Sequence, residues 1–236
     1  MSARPVKTQI WMGGCLAAAL VLCVACQFVK GKPPHEGPSS LSIKSVVVSG
    51  FHPSISSGGE PKIVRSPLTG AVFMAEPVSE EVARELTNRL FERLVEKGAY
   101  ELIPPGQASG VYSKLLSSDP VLTDAEILQH MGRVFSSDAV LTGYVYRWRE
   151  RIGTDYAVNT PASVAFDLCL ISSLDGAVLW KDRFDKTQKS LSENLFDFST
   201  FLKSKGRWMR AQELAAVGLA DLVENLPSGT GREKES

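Results

Sequence analysis

Three stretches in the second half of the chain are rich in apolar, β-branched and aromatic residues and predict strands in succession. Their sequences are AVLTGYVYRW (139–148), SVAFDLCLI (163–171) and AVLWKDRF (177–184). Successive strands joined by short links form an antiparallel meander. If Gly176 takes the left-handed position of a bulged turn, the last hairpin has Ser173 opposite Ala177.

This register has consequences for the side chains that meet across the hairpin. It places Phe166 opposite Phe184 and Asp167 opposite Arg183. A slip of one residue would bring Asp167 opposite Asp182, and like charges directly opposite each other are destabilising. We therefore expect the bulged register.

Apolar residues recur every three or four positions in three other stretches, as they do along one face of a helix. Two of these helices follow Ser79 and Thr123, and the third covers residues 207–226. Ser79 is a favourable N-cap, and Gly98 stands where the first helix should end. Thr123 and Glu126 have the spacing of a capping box.

Shorter apolar runs alternate with the first two helices. Residues 45–51 (SVVVSGF) and 100–103 read as strands, because they are rich in apolar residues and end at glycine or proline. Between them, residues 53–77 form a long irregular excursion, in which the runs 62–64 and 71–73 flank a turn signal and could close a small hairpin.

This order of elements predicts an α/β fold. We expect a two-layer sandwich, with a mixed sheet of early parallel strands and a C-terminal antiparallel meander, and about three helices on one face. A single domain should cover residues 43–226, with a loop at 106–122. Residues 186–205 suit either a short helix or a loop, and the polar tail 227–236 should be disordered.

An uncharged apolar run lies near the N-terminus. Arg4 and Lys7 precede it, and at 10–25 it is shorter than the roughly 17 residues that span a membrane. Its end, LCVAC (22–26), resembles the lipobox of bacterial lipoproteins, in which the last cysteine, here Cys26, is lipidated and becomes the mature N-terminus. Members of that family usually have leucine at the position of Cys23, so this sequence departs from the pattern there. The alternative is an uncleaved signal anchor or a short transmembrane helix, which would also place the domain outside the cytoplasm.

The lipobox interpretation divides the N-terminal region in two. Residues 1–25 are a signal peptide, and residues 26–42, rich in proline, glycine and serine, are a flexible tether. Such a tether has a root-mean-square reach of roughly 20 to 25 Å. Gln27 is not the aspartate that retains lipoproteins at the inner membrane in familiar sorting rules, which favours the outer membrane.

Charge and cysteine content limit the partners. The chain has 26 basic and 26 acidic residues, and removal of the signal takes away two basic residues, leaving a net charge of about −2. Nucleic acid is therefore not expected as a partner, because binding to phosphates needs a basic excess. Once Cys26 carries lipid, Cys169 has no disulfide partner in the mature chain.

The order of elements, together with DAVLTGYVYRWRE (138–150) and SLDGAVLW (173–180), resembles a known periplasmic architecture. It is similar to the anticodon-binding-like domain of the Tol-system propeller protein, with relatives in the curli secretion channel subunit and in lipoproteins that activate peptidoglycan synthases. The likeness covers residues 43–226. It implies an interaction module without catalytic residues, whose partner is another envelope protein.

No constellation in the sequence predicts catalysis, a cofactor or a metal. His35, His52 and His130 are the only histidines, and none has metal-ligand spacing to another histidine or a cysteine. Nucleotide-binding and nucleophile-elbow motifs are absent from the sequence. Asp167 could pair with another carboxylate only in the disfavoured register, and Cys169 has no histidine expected nearby.

One cluster combines aromatic and basic residues. Strict alternation would place Tyr144, Tyr146 and Trp148 on one face of their strand, and Arg147, Arg149 and Arg151 on the other. Two interpretations follow: an amphipathic strand with its aromatic side in the core, or a partner or glycan surface at its far end. The candidate residues of that surface are Trp148, Arg149, Arg151 and Tyr156, since exposed aromatics and arginines favour interfaces.

Three functions remain open at this stage. The leading hypothesis is a lipid-anchored envelope protein whose domain acts as a non-catalytic interaction or assembly module. The second is a carrier or sensor of a small ligand, with an apolar pocket under residues 53–77. The third, a hydrolase, has the least support in the residues.

Overall fold

The computed structural model describes residues 43–118, 122–188 and 207–227. The predicted signal peptide, Cys26, the tether, the tail and most of residues 186–205 lie outside the described residues. The strands are β1 (Ser45–Pro53), β2 (Lys62–Arg65), β3 (Val72–Ala75), β4 (Glu101–Ile103), β5 (Ala139–Arg149), β6 (Ile152–Gly153), β7 (Val158–Thr160), β8 (Ser163–Ser172) and β9 (Val178–Thr187). The helices are α1 (Glu80–Lys97), α2 (Pro105–Ser118), α3 (Asp124–Val134) and α4 (Ala211–Asn225).

The main sheet has five strands in the order β4-β1-β5-β8-β9. β1 runs parallel to both β4 and β5, and β8 is antiparallel to β5 and to β9. The predicted mixed sheet, with early parallel strands and a C-terminal meander, is therefore confirmed. Strand β8 lies between two others and is buried along its whole length.

The predicted register of the last hairpin is present through most of its length. Phe166 pairs with Phe184, and Asp167 pairs with Arg183. At the turn the prediction was wrong: the carbonyl oxygen of Ala177 accepts a hydrogen bond of 2.8 Å from the amide of Ser172, not of Ser173. The reason is a further irregularity between Leu170 and Ile171, which shifts the pairing by one residue.

Helices cover both faces of the sheet. α1 and α4 pack over one face on a cluster that includes Val46, Leu141 and Phe166. α2 and α3 pack over the other, on a smaller cluster around Val47 and Val140. The predicted α/β sandwich is confirmed. The helices were expected on one face, but the helix after Thr123 lies on the opposite face from α1 and α4, because β1 and β5 have apolar residues at successive positions and so need cover on both faces.

The segment predicted as a loop at 106–122 is mostly helix α2. Pro105 is its first residue, a position where proline's missing amide costs nothing. Gly106 and Gly110 lower the intrinsic helix propensity, which hid the helix in the sequence. Its apolar residues Ala108 and Val111 pack on the second cluster, and tertiary packing of this kind outweighs propensity.

The predicted helix caps are present. The Ser79 hydroxyl accepts a hydrogen bond of 3.3 Å from the amide of Val82, and Gly98 ends α1 with a φ of 61°. Thr123 and Glu126 form the capping box of α3. These local signals fixed the helix ends correctly because capping depends on residues within one turn.

The excursion between β1 and α1 folds into the expected small hairpin, β2–β3. It lies over the same sheet face as α2 and α3, where Phe73 stacks on Tyr146 with ring centroids 3.9 Å apart. The amide of Glu76 donates to the carbonyl of Tyr146 at 2.7 Å, which joins the end of β3 to β5. The hairpin thus completes the cover of this face.

Candidate functional site

A bulge in β5 changes which side chains share a face. Val145 pairs with Phe166 and Arg147 with Ala165, so Tyr146 is an extra residue in β5. Tyr146 packs beneath the β2–β3 hairpin, on the same side as Tyr144, whereas the extra residue turns Trp148 into the cluster under α1 and α4.

The prediction that all three aromatics lie on one face was therefore wrong. The bulge adds a residue, and each added residue inverts the alternation beyond it. Tyr144 and Tyr146 lie on the side of the sheet that the β2–β3 hairpin covers, and Trp148 is half-buried in the opposite cluster. Trp148 is thus separated from the other two aromatic residues by the sheet.

Arg147, which sequence alternation placed with the outward arginines, is buried. Its guanidinium donates to the hydroxyl of Ser163 at 2.7 Å and to the carbonyl of Met74 at 3.2 Å. It also forms an ion pair with Asp185. Arg147 therefore ties β3 and β9 to β5, and its role is structural.

Arg149 and Arg151 both engage acidic partners. Arg149 pairs with Glu76 just after β3. Arg151 is 9% exposed and pairs with Asp155, and its guanidinium also donates to the carbonyl of Trp208 at 2.5 Å. Arg151 thereby fastens the β6–β7 hairpin to the segment that leads into α4.

Tyr156 is the sequence-predicted residue that faces solvent most fully. It lies in the turn of the β6–β7 hairpin and is 84% exposed, with the apolar Ile152 also exposed on the same hairpin. The turn is well ordered by hydrogen bonds: the Thr154 amide donates to the Ala157 carbonyl at 2.7 Å, and the Trp208 amide donates to the Asp155 carbonyl at 2.8 Å.

The structure brings two of the four predicted residues together. Tyr156 is an exposed group in the turn of the β6–β7 hairpin, and Arg151 holds that turn, whereas Trp148 and Arg149 contact other parts of the domain. We name the exposed part, Ile152 and Tyr156, the hairpin tip. Cations stand close to it: Arg207, which pairs with Glu213, and Arg210 at the start of α4.

A second polar group, which the sequence did not predict, surrounds Asp167 in the middle of the sheet. Its Oδ2 accepts hydrogen bonds from the Thr69 hydroxyl at 2.8 Å and the Tyr146 hydroxyl at 3.1 Å. Its Oδ1 accepts from the Tyr144 amide at 3.2 Å. Burial raises the pKa of this carboxyl, against the opposing effect of these hydrogen bonds.

Asp167 does not face a second carboxylate. Asp182, the other candidate of the hydrolase hypothesis, lies opposite Leu168 and accepts a hydrogen bond of 3.3 Å from Asn225. The pair of carboxylates that acid–base hydrolysis would need is not formed by these two residues.

His52 lies in an aromatic group on the same sheet face. Its ring stacks on Tyr112 with centroids 4.7 Å apart, and the hydroxyl of the neighbouring Tyr144 donates to Asp124 at 2.7 Å. Burial lowers the pKa of His52, which Glu80 and Asp124 partly offset. His130 is exposed on α3.

Cys169 is a free cysteine buried in the centre of β8. Burial raises the pKa of its thiol to about 12, so the nucleophilic thiolate is scarce at neutral pH. Within residues 43–118, 122–188 and 207–227, no three His, Cys, Asp or Glu side chains come together as metal ligands would.

A groove lies between the turn of the β2–β3 hairpin and strand β9. Its volume is about 260 Å³, and it is lined by Thr69, Ala71, Lys181, Asp182 and Arg183. The second hypothesis placed a pocket under residues 53–77, and two lining residues belong to that segment. The volume is slightly below the usual range for small-molecule sites, about 300 to 1,000 Å³.

No family model matches the chain, and no curated protein matches it. Among solved structures, the PelC dodecamer from Paraburkholderia phytofirmans is 16% identical with a TM-score of 0.41, over 78% of this chain and 88% of that chain. Lipoprotein GNA1162 from Neisseria meningitidis is 16% identical with a TM-score of 0.38, over 69% and 94%. The LpoB C-terminal domain from Escherichia coli is 16% identical with a TM-score of 0.37, over 65% and 90%. Similarity at this level concerns the backbone fold alone and does not support an inference about function.

None of the helices in the described parts of the chain has both the length and the apolar character needed to cross a bilayer.

Proposed function

We propose that the protein is a lipoprotein of the bacterial cell envelope, held to the membrane by lipid on Cys26. Its α/β domain acts as a non-catalytic module that binds another envelope protein. The basic start, the short apolar run and the LCVAC boundary support the anchor. Gln27 supports the outer membrane, with the domain facing the periplasm.

One observation carries the interaction role: Tyr156 and Ile152 project into solvent from a hairpin that is held firmly in place. Arg151 pairs with Asp155 in the turn of this hairpin and donates to the carbonyl of Trp208, outside the hairpin. The hairpin tip is therefore preorganised and loses little freedom on binding. Exposed tyrosine near arginine is the composition typical of interface anchors. The envelope partner therefore contacts the tip formed by Ile152 and Tyr156.

A photo-crosslinking amino acid at position 156 tests this proposal in native envelopes. We expect a discrete crosslinked protein. For the Tyr156→Ala variant the crosslinker is moved to position 152, and this variant should no longer capture that protein. Leu174 is a matched control, because it is 78% exposed in a different turn of the same domain. The same crosslinked protein at equal yield from positions 156 and 174 would show that the hairpin tip is not the contact.

The anchor has its own test. Cys26→Ala should leave the chain unprocessed or unlipidated, and intact mass should then lack the acyl chains found on the wild type. Membrane fractionation of the wild type decides between the outer and inner membranes. A wild-type mass that begins at Met1 without added lipid would exclude the anchor.

The groove beside β9 favours a second candidate function, a carrier or sensor of a small ligand. Lys181 and Arg183 would suit an anionic compound, and the adjacent Asp182 limits how much negative charge it can carry. A thermal-shift screen of small anions tests this candidate. A shift that Arg183→Ala removes would support it, and the absence of any shift would leave the interaction module as the function.

A further inference from the structure

The outward face of the β2–β3 hairpin carries apolar side chains that have no cover. Ile63 lies directly opposite Met74, and Arg65 lies opposite Val72. Ile63 is 70% exposed and Met74 is 52% exposed, while Phe73, which points the other way, is buried in the core. We name the four outward residues the hairpin face; they are Ile63, Arg65, Val72 and Met74.

Basic groups stand at the turn of this hairpin. Arg65 donates from Nη1 to the carbonyl oxygen of Gly70 at 3.1 Å. On the other side of the turn, the ammonium of Lys181 donates to the carbonyl oxygen of Thr69 at 3.0 Å. Arg183 lines the groove next to them. Basic side chains therefore border the turn end of the hairpin whose outward face is apolar.

The acidic groups near this side are mostly paired. Glu76, after β3, pairs with Arg149, and Asp185 pairs with Arg147, which also reaches the Met74 carbonyl. Asp182 lies beside the groove and accepts a hydrogen bond from Asn225. Glu60 is exposed just before β2. The four positions of the hairpin face itself include one cation and no carboxylate.

The size of the hairpin face indicates what could cover it. A stable protein interface buries about 800 Å² per partner, and three partly exposed apolar side chains offer far less. A second copy of the chain would therefore gain too little contact area here. A bilayer needs less, because a lipid anchor already holds the domain at the membrane and makes the docking step intramolecular.

We propose that the hairpin face docks on an anionic phospholipid bilayer. Ile63, Val72 and Met74 enter the boundary between headgroups and acyl chains, which is where exposed apolar side chains of interfacial segments lie. Arg65 and Lys181 then face the lipid phosphates. This inference rests on the proposed anchor at Cys26, since the anchor supplies the high local concentration.

The orientation of the face is fixed before docking. The turn that ends the hairpin is held to the sheet by the hydrogen bond from Thr69 to Asp167, and β3 is joined to β5 through Glu76 and Tyr146. Docking therefore places the whole domain in one orientation on the membrane.

The experiment uses the full processed lipoprotein in vesicles that contain nitroxide-labelled lipid as a quencher. An environment-sensitive fluorophore is attached at Met74→Cys, with Leu174→Cys as the matched control on a turn at another part of the surface. Cys169 is buried and does not take the label. In vesicles of phosphatidylcholine and phosphatidylglycerol, we expect strong quenching and a blue-shifted emission at position 74 and neither at position 174.

A charge-removed variant tests the role of the basic groups. Arg65→Gln with Lys181→Gln should weaken docking roughly thirtyfold, since each basic residue near an anionic surface contributes a factor of about five. Vesicles of phosphatidylcholine alone should also reduce the quenching at position 74. Near-UV circular dichroism of each variant confirms that it is folded.

The outcomes separate the docking from the anchor. Equal quenching at positions 74 and 174, in protein that floats with the vesicles, would overturn the docking and leave the anchor in place. Protein that does not float with the vesicles would overturn the anchor, and with it the docking that depends on it. Quenching at position 74 that is the same with and without phosphatidylglycerol would overturn the assignment to anionic lipid.

Discussion

The hydroxyl of Thr69 donates a hydrogen bond of 2.8 Å to Oδ2 of Asp167, although 98 residues separate them in the sequence. Thr69 belongs to the turn of a surface hairpin, and Asp167 is buried in the central strand of the meander. This contact is one of several polar connections between the β2–β3 excursion and the sheet, and it is the one that reaches a buried carboxylate. It explains how a buried carboxylate is satisfied and how the hairpin turn is held.

Removing the hydroxyl should therefore destabilise the domain. Thr69→Val leaves one hydrogen-bond site of a buried carboxylate empty, which should lower the free energy of unfolding by about 1 to 3 kcal/mol. Urea unfolding followed by fluorescence measures the change. Thr69→Ser keeps the hydroxyl and is the control; equal stability of the valine and serine variants would contradict the role of this hydrogen bond.

The pH dependence of stability should reflect the same residue. Because burial raises the pKa of Asp167, the folded protein binds a proton more tightly than the unfolded chain. The free energy of unfolding should then fall as pH rises from about 4, the usual value for aspartate, through the raised folded-state pKa. Urea unfolding at a series of pH values measures this contribution.

Asp167→Asn provides the comparison, because asparagine does not ionise. The stability of the wild type relative to this variant should increase as the pH is lowered through that window. If the advantage of the wild type grew instead with rising pH, the carboxyl would have a lowered pKa in the folded protein, contrary to the effect of its burial.

The β6–β7 hairpin should loosen when Arg151 is removed. Arg151→Ala deletes the ion pair with Asp155 and the hydrogen bond to the Trp208 carbonyl, so amide exchange in the turn at residues 154–157 should become faster. Hydrogen exchange with mass spectrometry measures this. Tyr156→Ala removes an exposed side chain and should leave the exchange of the turn unchanged while it weakens partner capture.

The two variants therefore separate positioning from contact. If Tyr156→Ala accelerated exchange as much as Arg151→Ala, Tyr156 would have a structural role in the hairpin. If Arg151→Ala had no effect on exchange, the turn would be held by the backbone hydrogen bonds of Thr154 to Ala157 and of Trp208 to Asp155.

Two glycines in helices should respond in opposite directions to alanine. A Cβ at Gly218 of α4 would lie 2.4 Å from the ring of Phe184 on β9, so Gly218→Ala should destabilise the domain by about 1 to 3 kcal/mol. A Cβ at Gly110 of α2 would meet nothing within 4 Å. Gly110→Ala should therefore stabilise the domain by up to about 1 kcal/mol, the difference in helix propensity.

Thermal unfolding of both variants checks these expectations. Gly110→Ala also tests whether residues 105–118 are helical in solution. A destabilising effect at Gly110 would mean that this segment is not helical, since alanine favours a helix over glycine.

Several parts of the fold could be predicted because their signals are local. The capping residues Ser79 and Thr123 and the left-handed Gly98 act within one turn of a helix. The pairing of Asp167 with Arg183 followed from the cost of bringing like charges together across two neighbouring strands. None of these inferences needed to know what packs on the sheet.

The candidate site was harder to predict because its geometry depends on a bulge. The extra residue at Tyr146 moved Trp148 to the opposite face from Tyr144 and Tyr146. Residues 145–148, around the bulge, include no glycine or proline to mark it, so strict alternation was the natural expectation. The sequence did indicate Tyr156, whose position in a short turn keeps it at the surface.

The sequence by itself determined the α/β class, the mixed sheet, the predicted helix ends and the register of the last hairpin away from its turn, because these depend on period, caps and neighbouring strands. Only the tertiary structure decided that residues 105–118 form a helix, that Thr69 reaches Asp167, and that Ile63 and Met74 remain uncovered. Each of these depends on contacts between segments far apart in the chain. Such contacts leave no periodic trace in either segment, so they become visible only once the chain has folded.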